Sequence, residues 1–107
     1  MIWRISRRQT FLALRQGRHL RAGPLRISWV AGSPDEPLQV AYTIGKRVGS
    51  AVERNRLRRR LRMLFREAAP QLPPGAYLIG ATSDANHLDY DDLRTILMRA
   101  LGQLDRR

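Results

Sequence analysis

The chain has 107 residues, and its 20 basic side chains against nine acidic ones leave a formal net charge of +11. That length holds one small domain, residues 1–107, and an ordinary hydrophobic fraction of 43% argues against wholesale disorder. With no cysteine and only two histidines, His19 and His87, disulfides, thiolate zinc sites, cysteine nucleophiles and histidine-based metal clusters are excluded.

The opening "MIWRISRRQTFLAL" is no secretory signal, because no continuous apolar region follows its charges. No apolar run approaches a membrane span, so a cytoplasmic protein with no membrane partner is expected. "SRRQTFLALRQG" reads as a short helix, with Ser6 and Gln9 spaced as a capping box. Phe11 and Leu14 lie on one side of it, and Gly17 stands where it stops. "LRISWV", residues 25–30, alternates through Leu25, Ile27 and Trp29, the period of a half-buried strand. "QVAYTIG", residues 39–45, alternates through Val40, Tyr42 and Ile44. Two such runs so close together predict an antiparallel pair. A long basic helix follows and ends at "APQLPPGAY", whose prolines cannot continue it. "AYLIGA", residues 76–81, is a short apolar strand. Asp89 is placed to cap a final helix over 90–104, with Asp91 and Asp92 in the first turn, where exposed N–H groups favour negative charge. The order helix, strand, strand, helix, strand, helix predicts a small single-domain α/β sandwich, a mixed sheet with packed helices.

The charge is unevenly placed. Residues 1–26 hold seven basic residues and no acidic one, and residues 46–66 hold nine against one. Such asymmetry predicts a basic face and a polyanion partner. Nineteen of the 20 basic residues are arginine, whose planar fork suits phosphate; a genome rich in G and C also favours arginine, yet it does not account for the net charge.

On a helical wheel over residues 52–68, Leu57, Leu61, Leu64, Phe65 and Ala68 form one stripe. Asn55, Arg58, Arg59, Arg62 and Arg66 cluster opposite, Arg56 and Arg60 lie on a flank, and Arg54 projects closer to the apolar side, placed to reach round the helix end. A charge run is usually a solvated face. Solvated faces normally mix signs, however, and like charges four apart cost a few tenths of a kcal/mol per pair. A bound polyanion turns that repulsion into attraction. Asn55 suits either a cap or recognition of a base or ribose. Gly49 suits either a close backbone approach or a turn barred to other residues.

The stretch "GKRVGSAVERNRLRRRLRMLFRE" resembles the signature of the bacterial ribonuclease P protein subunit. Lys46 and Arg47 stand as its basic pair, Val48 and Gly49 as its Val-Gly, Arg54, Asn55 and Arg56 as its Arg-Asn-Arg, and Arg58 and Arg59 as the second pair, with Arg62 a turn later. "RQTFLALRQG", "YLIGA" and the closing amphipathic helix extend the likeness to most of the chain. The resemblance implies an α/β sandwich with a left-handed β-α-β crossover, where about 98% of crossovers are right-handed. That family pattern has one short strand more than the elements read above.

It also implies hydrolysis of one phosphodiester bond, freeing the 5′ leader of precursor tRNA, with catalysis by a partner RNA and no catalytic residue in the protein. Magnesium is expected to be held mainly by that RNA and the substrate. The implied partners are the catalytic RNA subunit, contacted by Lys46, Arg47, Arg54, Asn55, Arg56, Arg58, Arg59 and Arg62, and precursor tRNA, with no obligate protein partner. A cleft between the first helix and the sheet is implied to receive the single-stranded leader. Phe11 carries over to that cleft, and Arg15 and Tyr42 join it as basic or aromatic residues on the elements expected to line it. The sequence departs from the family in Gly45 before the basic pair, in an early Gly17, in a missing second aromatic a turn after Phe11, and in "GATSD" lacking a basic residue. Composition alone equally permits a non-catalytic RNA-binding protein such as a ribosomal component. A DNA-binding module is less suited, because the basic face lacks short mixed readers of bases. Carboxylates scattered over Asp35, Glu36, Glu53, Glu67 and the "DYDD" cap do not suggest a stand-alone nuclease.

Overall fold

The computed structural model describes residues 1–104. In chain order it contains β1 (Ile2–Arg4), α1 (Arg8–Arg15), β2 (Arg18–Ala22), β3 (Leu25–Ala31), β4 (Leu38–Thr43), α2 (Ala51–Ala68), β5 (Gly75–Ala81) and α3 (Tyr90–Gln103). The five strands form one sheet in the order β1-β4-β5-β3-β2.

Two strands go beyond the sequence reading. β1 has three residues, and β2, "RHLRA", is mostly polar; both sit at sheet edges, where neither length nor apolar alternation is demanded. The expected antiparallel pairing of the 25–30 and 39–45 runs does not occur. β5 lies between them, antiparallel to β3 and parallel to β4. The reason lies in β5 itself: Ala76, Tyr77, Ile79, Gly80 and Ala81 are all buried, so it is apolar towards both faces and takes the centre. β2 takes the other edge of β3, folding back after a turn at Gly23 and Pro24. α2 is thus the crossover between the parallel strands β4 and β5.

The sheet carries helices on both faces. Alternation along the strands sends Leu25, Ile27, Val40, Tyr77 and Ile79 to one side. There they pack with Leu57, Leu61, Leu64 and Phe65 of α2 and Leu93, Leu97 and Leu101 of α3. The Phe65 and Tyr77 rings meet edge to face with centroids 5.3 Å apart, and the Tyr77 hydroxyl donates to Pro73 O at 2.6 Å. The other face is thinner: Ile5, Leu14 and Ala76 form its core with Val30, Ala41 and Leu78.

α3 begins as expected, with Asp89 Oδ1 accepting from Asp92 N at 2.8 Å. α1 does not. Its N-cap is Arg7, with no side-chain cap, rather than Ser6. Buried Ile5 donates its N–H to Val40 O, which keeps the chain in strand pairing with β4 and delays the helix. Gly17 follows the end of α1 because a Cβ there would lie 2.2 Å from Trp29 O. No helix among the described residues is long and apolar enough to cross a membrane.

Candidate nucleic-acid interface

The basic surface starts at a short turn, Lys46–Val48, ahead of α2. Val48 is buried and anchors the turn, while Lys46 and Arg47 remain exposed. Asn86 Nδ2 donates to Val48 O at 2.7 Å. α2 then opens with a full capping box: Glu53 N donates to Ser50 Oγ at 3.1 Å, and Ser50 N donates to Glu53 Oε1 at 2.9 Å. The Ser50 backbone N–H, and then its hydroxyl, hold the Glu53 carboxyl below its ordinary pKa. Gly49 leaves room for this arrangement. Its backbone is extended, but a Cβ would stand 2.7 Å from Glu53 Oε1 and 2.9 Å from Asn86 Nδ2. The "Val-Gly" is therefore a core plug followed by a gap into which two side chains fold. The spacing "SAVE" carried the capping signal, and the sequence reading passed over it.

Leu57, Leu61, Leu64, Phe65 and Ala68 are buried, as the wheel predicts. Each fully buried large side chain contributes about 1.5–3 kcal/mol, against a few tenths for each like-charge pair on the outer face. Core packing thus fixes the helix despite its arginines. Those arginines fall into two groups. Arg54 reaches back round the helix start, its Nε donating to Gly49 O at 3.2 Å. Arg58, expected to face outward to phosphate, instead donates from Nη2 to Ile44 O at 2.8 Å and from Nη1 to Asn55 Oδ1 at 3.2 Å. It braces the end of β4, and it orients Asn55. Arg60 Nη1 approaches Leu88 O at 3.4 Å. Arg56 is half-buried, whereas Arg59, Arg62 and Arg66 are exposed. Among the described residues one ion pair forms, Arg94 with Glu67 at 2.8 Å, so the outward arginines are not neutralised by carboxylates.

A second feature lies at the β1–β4 edge. A cavity of about 1070 Å³ wraps round that edge and is lined by both Phe11 and Tyr42. It is not confined to the space between α1 and the sheet. Phe11 reaches it from α1, while Tyr42 packs with the larger core on the opposite face. Arg15 does not line it; its side chain is exposed, and its carbonyl is 3.0 Å from His19 Nε2. Trp3, Arg58, Arg62 and Arg66 also line the cavity, and no acidic residue does. Burial pushes the Tyr42 phenol up to about 12, although Arg62 and then Arg66 pull it the other way. Its hydroxyl therefore stays protonated and able to donate near neutrality. Trp3 and Arg66 were not among the residues expected at the leader cleft; the odd-numbered Trp3 and Ile5 of "MIWRI" hinted at a strand face shared with α1.

The Ribonuclease P family model matches residues 2–105. A protein named ribonuclease P protein component from a Synechococcus strain is 41% identical over 109 residues, covering 95% of this chain and 81% of that protein. One from Thermus scotoductus is 39% identical over 93 residues, covering 87% of this chain; the chain spans 54% of that relative's length. The fold is similar to that of the Staphylococcus aureus RNase P protein, with a TM-score of 0.85 at 16% identity over 96% of this chain and 95% of the other.

Proposed function

The chain belongs to the ribonuclease P protein family, and from that premise we propose that it is the protein subunit of a ribonuclease P that removes the 5′ leader from precursor tRNA in the cytoplasm. The observation that carries this reading is the rigid row of exposed basic residues. Lys46, Arg47, Arg59 and Arg62 are exposed on a turn and helix held by a buried leucine face and a capping box. They meet the phosphates of the catalytic RNA subunit, aided by Arg56 on the flank. Arg54, Asn55 and Arg58 set the local geometry that keeps this row in place.

The chemistry belongs to the RNA and its magnesium. Glu53 and Asp89 are engaged as helix caps and Glu67 with Arg94, so these carboxylates do not fit a hard-cation site of clustered oxygen ligands. The protein contributes phosphate screening and substrate affinity. Phe11 and Tyr42, in the edge cavity, contact the single-stranded leader.

The test replaces Lys46, Arg47 and Arg59 together with Ala and measures binding of the RNA subunit across a salt series. Each lost phosphate contact weakens binding and reduces the salt slope by roughly one. Unchanged affinity and slope in a folded variant would sink the proposed interface.

A further inference from the structure

Trp3 is half exposed, at 50%, although it is a large aromatic in a strand. Register explains where it goes. Trp3 pairs with Gln39 while its neighbours Ile2 and Arg4 pair with Leu38 and Val40. Ile2, Leu38 and Val40 belong to the core under α2 and α3, and Ile5 to the core under α1. Alternation therefore puts Trp3 on the α1 side. Phe11, 37% exposed, comes from α1 on that same side, and both rings line the edge cavity. The helix offers no aromatic one turn beyond Phe11, where Leu14 is buried and Arg15 is charged. The strand supplies one instead.

The cavity also carries basic residues from α2. Arg62 and Arg66 line it together with Tyr42. The Tyr42 hydroxyl is buried and has no hydrogen-bond partner among the described residues. Exposed rings, guanidinium groups and no carboxylate in the lining match the chemistry of single-stranded nucleic acid: bases stack on aromatic faces and phosphates meet positive charge. The volume of about 1070 Å³ lies just above the range of roughly 300–1,000 Å³ for pockets that hold drug-sized ligands, so a nucleotide fits.

We propose that Trp3 is the main stacking platform of a single-stranded RNA site at the β1–β4 edge, with a base held at Trp3 and Phe11 and its phosphate at Arg66. The identity of that strand as the 5′ leader rests on the function proposed above; the site itself does not. The site makes Trp3 a determinant of leader affinity and extends the leader path round the sheet edge onto α2.

The test uses the full chain and a labelled single-stranded oligoadenylate, with affinity read by fluorescence anisotropy. Trp3→Ala weakens binding about tenfold, as expected for one lost base–aromatic stack. Trp3→Phe, which keeps a ring, recovers most of it. Leu12→Ala, which removes an exposed apolar side chain (45%) outside the cavity, serves as the control. Equal binding by wild type and Trp3→Ala, or equal losses in Trp3→Ala and Trp3→Phe, would overturn the proposal. In the holoenzyme the same Trp3→Ala change narrows the preference for leader-bearing over leaderless RNA. Oligonucleotide binding that depends on Trp3, in a chain that fails to bind the RNA subunit, would uphold this site while refuting the subunit assignment.

Discussion

Arg58 and Arg59 are adjacent, identical in chemistry and opposite in role, and separating them probes how the basic helix is built. Arg58→Ala removes the Nη2 bond to Ile44 O at 2.8 Å and the weaker bond to Asn55. Hydrogen bonds to charged groups contribute about 1.5–3 kcal/mol. This one is part-buried, so the loss is at the low end, about 1.5 kcal/mol. In a domain of this size that lowers Tm by roughly 6–10 °C. Arg59 is exposed and makes no bond of this kind, so Arg59→Ala changes stability by less than about 0.5 kcal/mol. Its effect falls on RNA: weaker binding of the RNA subunit and a salt slope smaller by roughly one. Circular dichroism on the free protein and binding titrations in a salt series measure the two quantities separately. Arg58→Lys sharpens the comparison, because lysine supplies charge for a phosphate but not the planar fork reaching two acceptors. An unchanged Tm for Arg58→Ala, with a salt-slope loss equal to that of Arg59→Ala, would refute the bracing role.

Gly49→Ala places a methyl group 2.7 Å from Glu53 Oε1 and 2.9 Å from Asn86 Nδ2. It lowers the denaturation midpoint, and does so less when Ser50→Ala has already broken the cap. Ser50→Ala alone costs about 1 kcal/mol, and a double-mutant cycle in chemical denaturation measures the coupling. Tyr42 has a folded pKa of about 12 against its ordinary 10.0, so the folded state holds this proton more tightly than the unfolded chain. Its contribution is complete below pH 10.0 and is lost as pH rises towards about 12, because the unfolded state ionises first. Thermal midpoints of wild type fall more steeply than those of Tyr42→Phe across that interval. Parallel profiles would show that burial does not perturb the phenol.

The helices were legible because their information is local. The leucine stripe of α2 and the Asp89 cap of α3 each fit within a few turns, and both formed as read. Strands 25–30, 39–45 and 76–81 were also legible from their alternation or apolar content. Their neighbours were not, because strand order depends on which strand is apolar on both faces, a comparison across the whole sheet. β1 and β2 were too short or too polar to announce themselves. Ser6 and Gln9 had the spacing of a cap, but the bond from Ile5 to Val40 O outcompeted it from 35 residues away.

The site shows the same division. The exposure of Arg59 and Arg62 followed from the wheel, as did the reach of Arg54 round the helix end. The diversion of Arg58 to Ile44 O did not, since it depends on where the last carbonyls of β4 stand. Tyr42 and Phe11 share a cavity only because that cavity wraps round a sheet edge made by β1. Once β1 was missing from the reading, Trp3 had no address; Arg15, named for being basic on α1, does not line that cavity.

The central claim is that this protein raises the affinity of a catalytic RNA for substrate that carries a 5′ leader. Single-turnover cleavage of precursor tRNA by the RNA subunit, at near-physiological magnesium with and without the protein, addresses it directly. Faster 5′ cleavage with the protein, and tighter binding of leader-bearing than of leaderless RNA, is the expected result. No stimulation and no leader preference would contradict it.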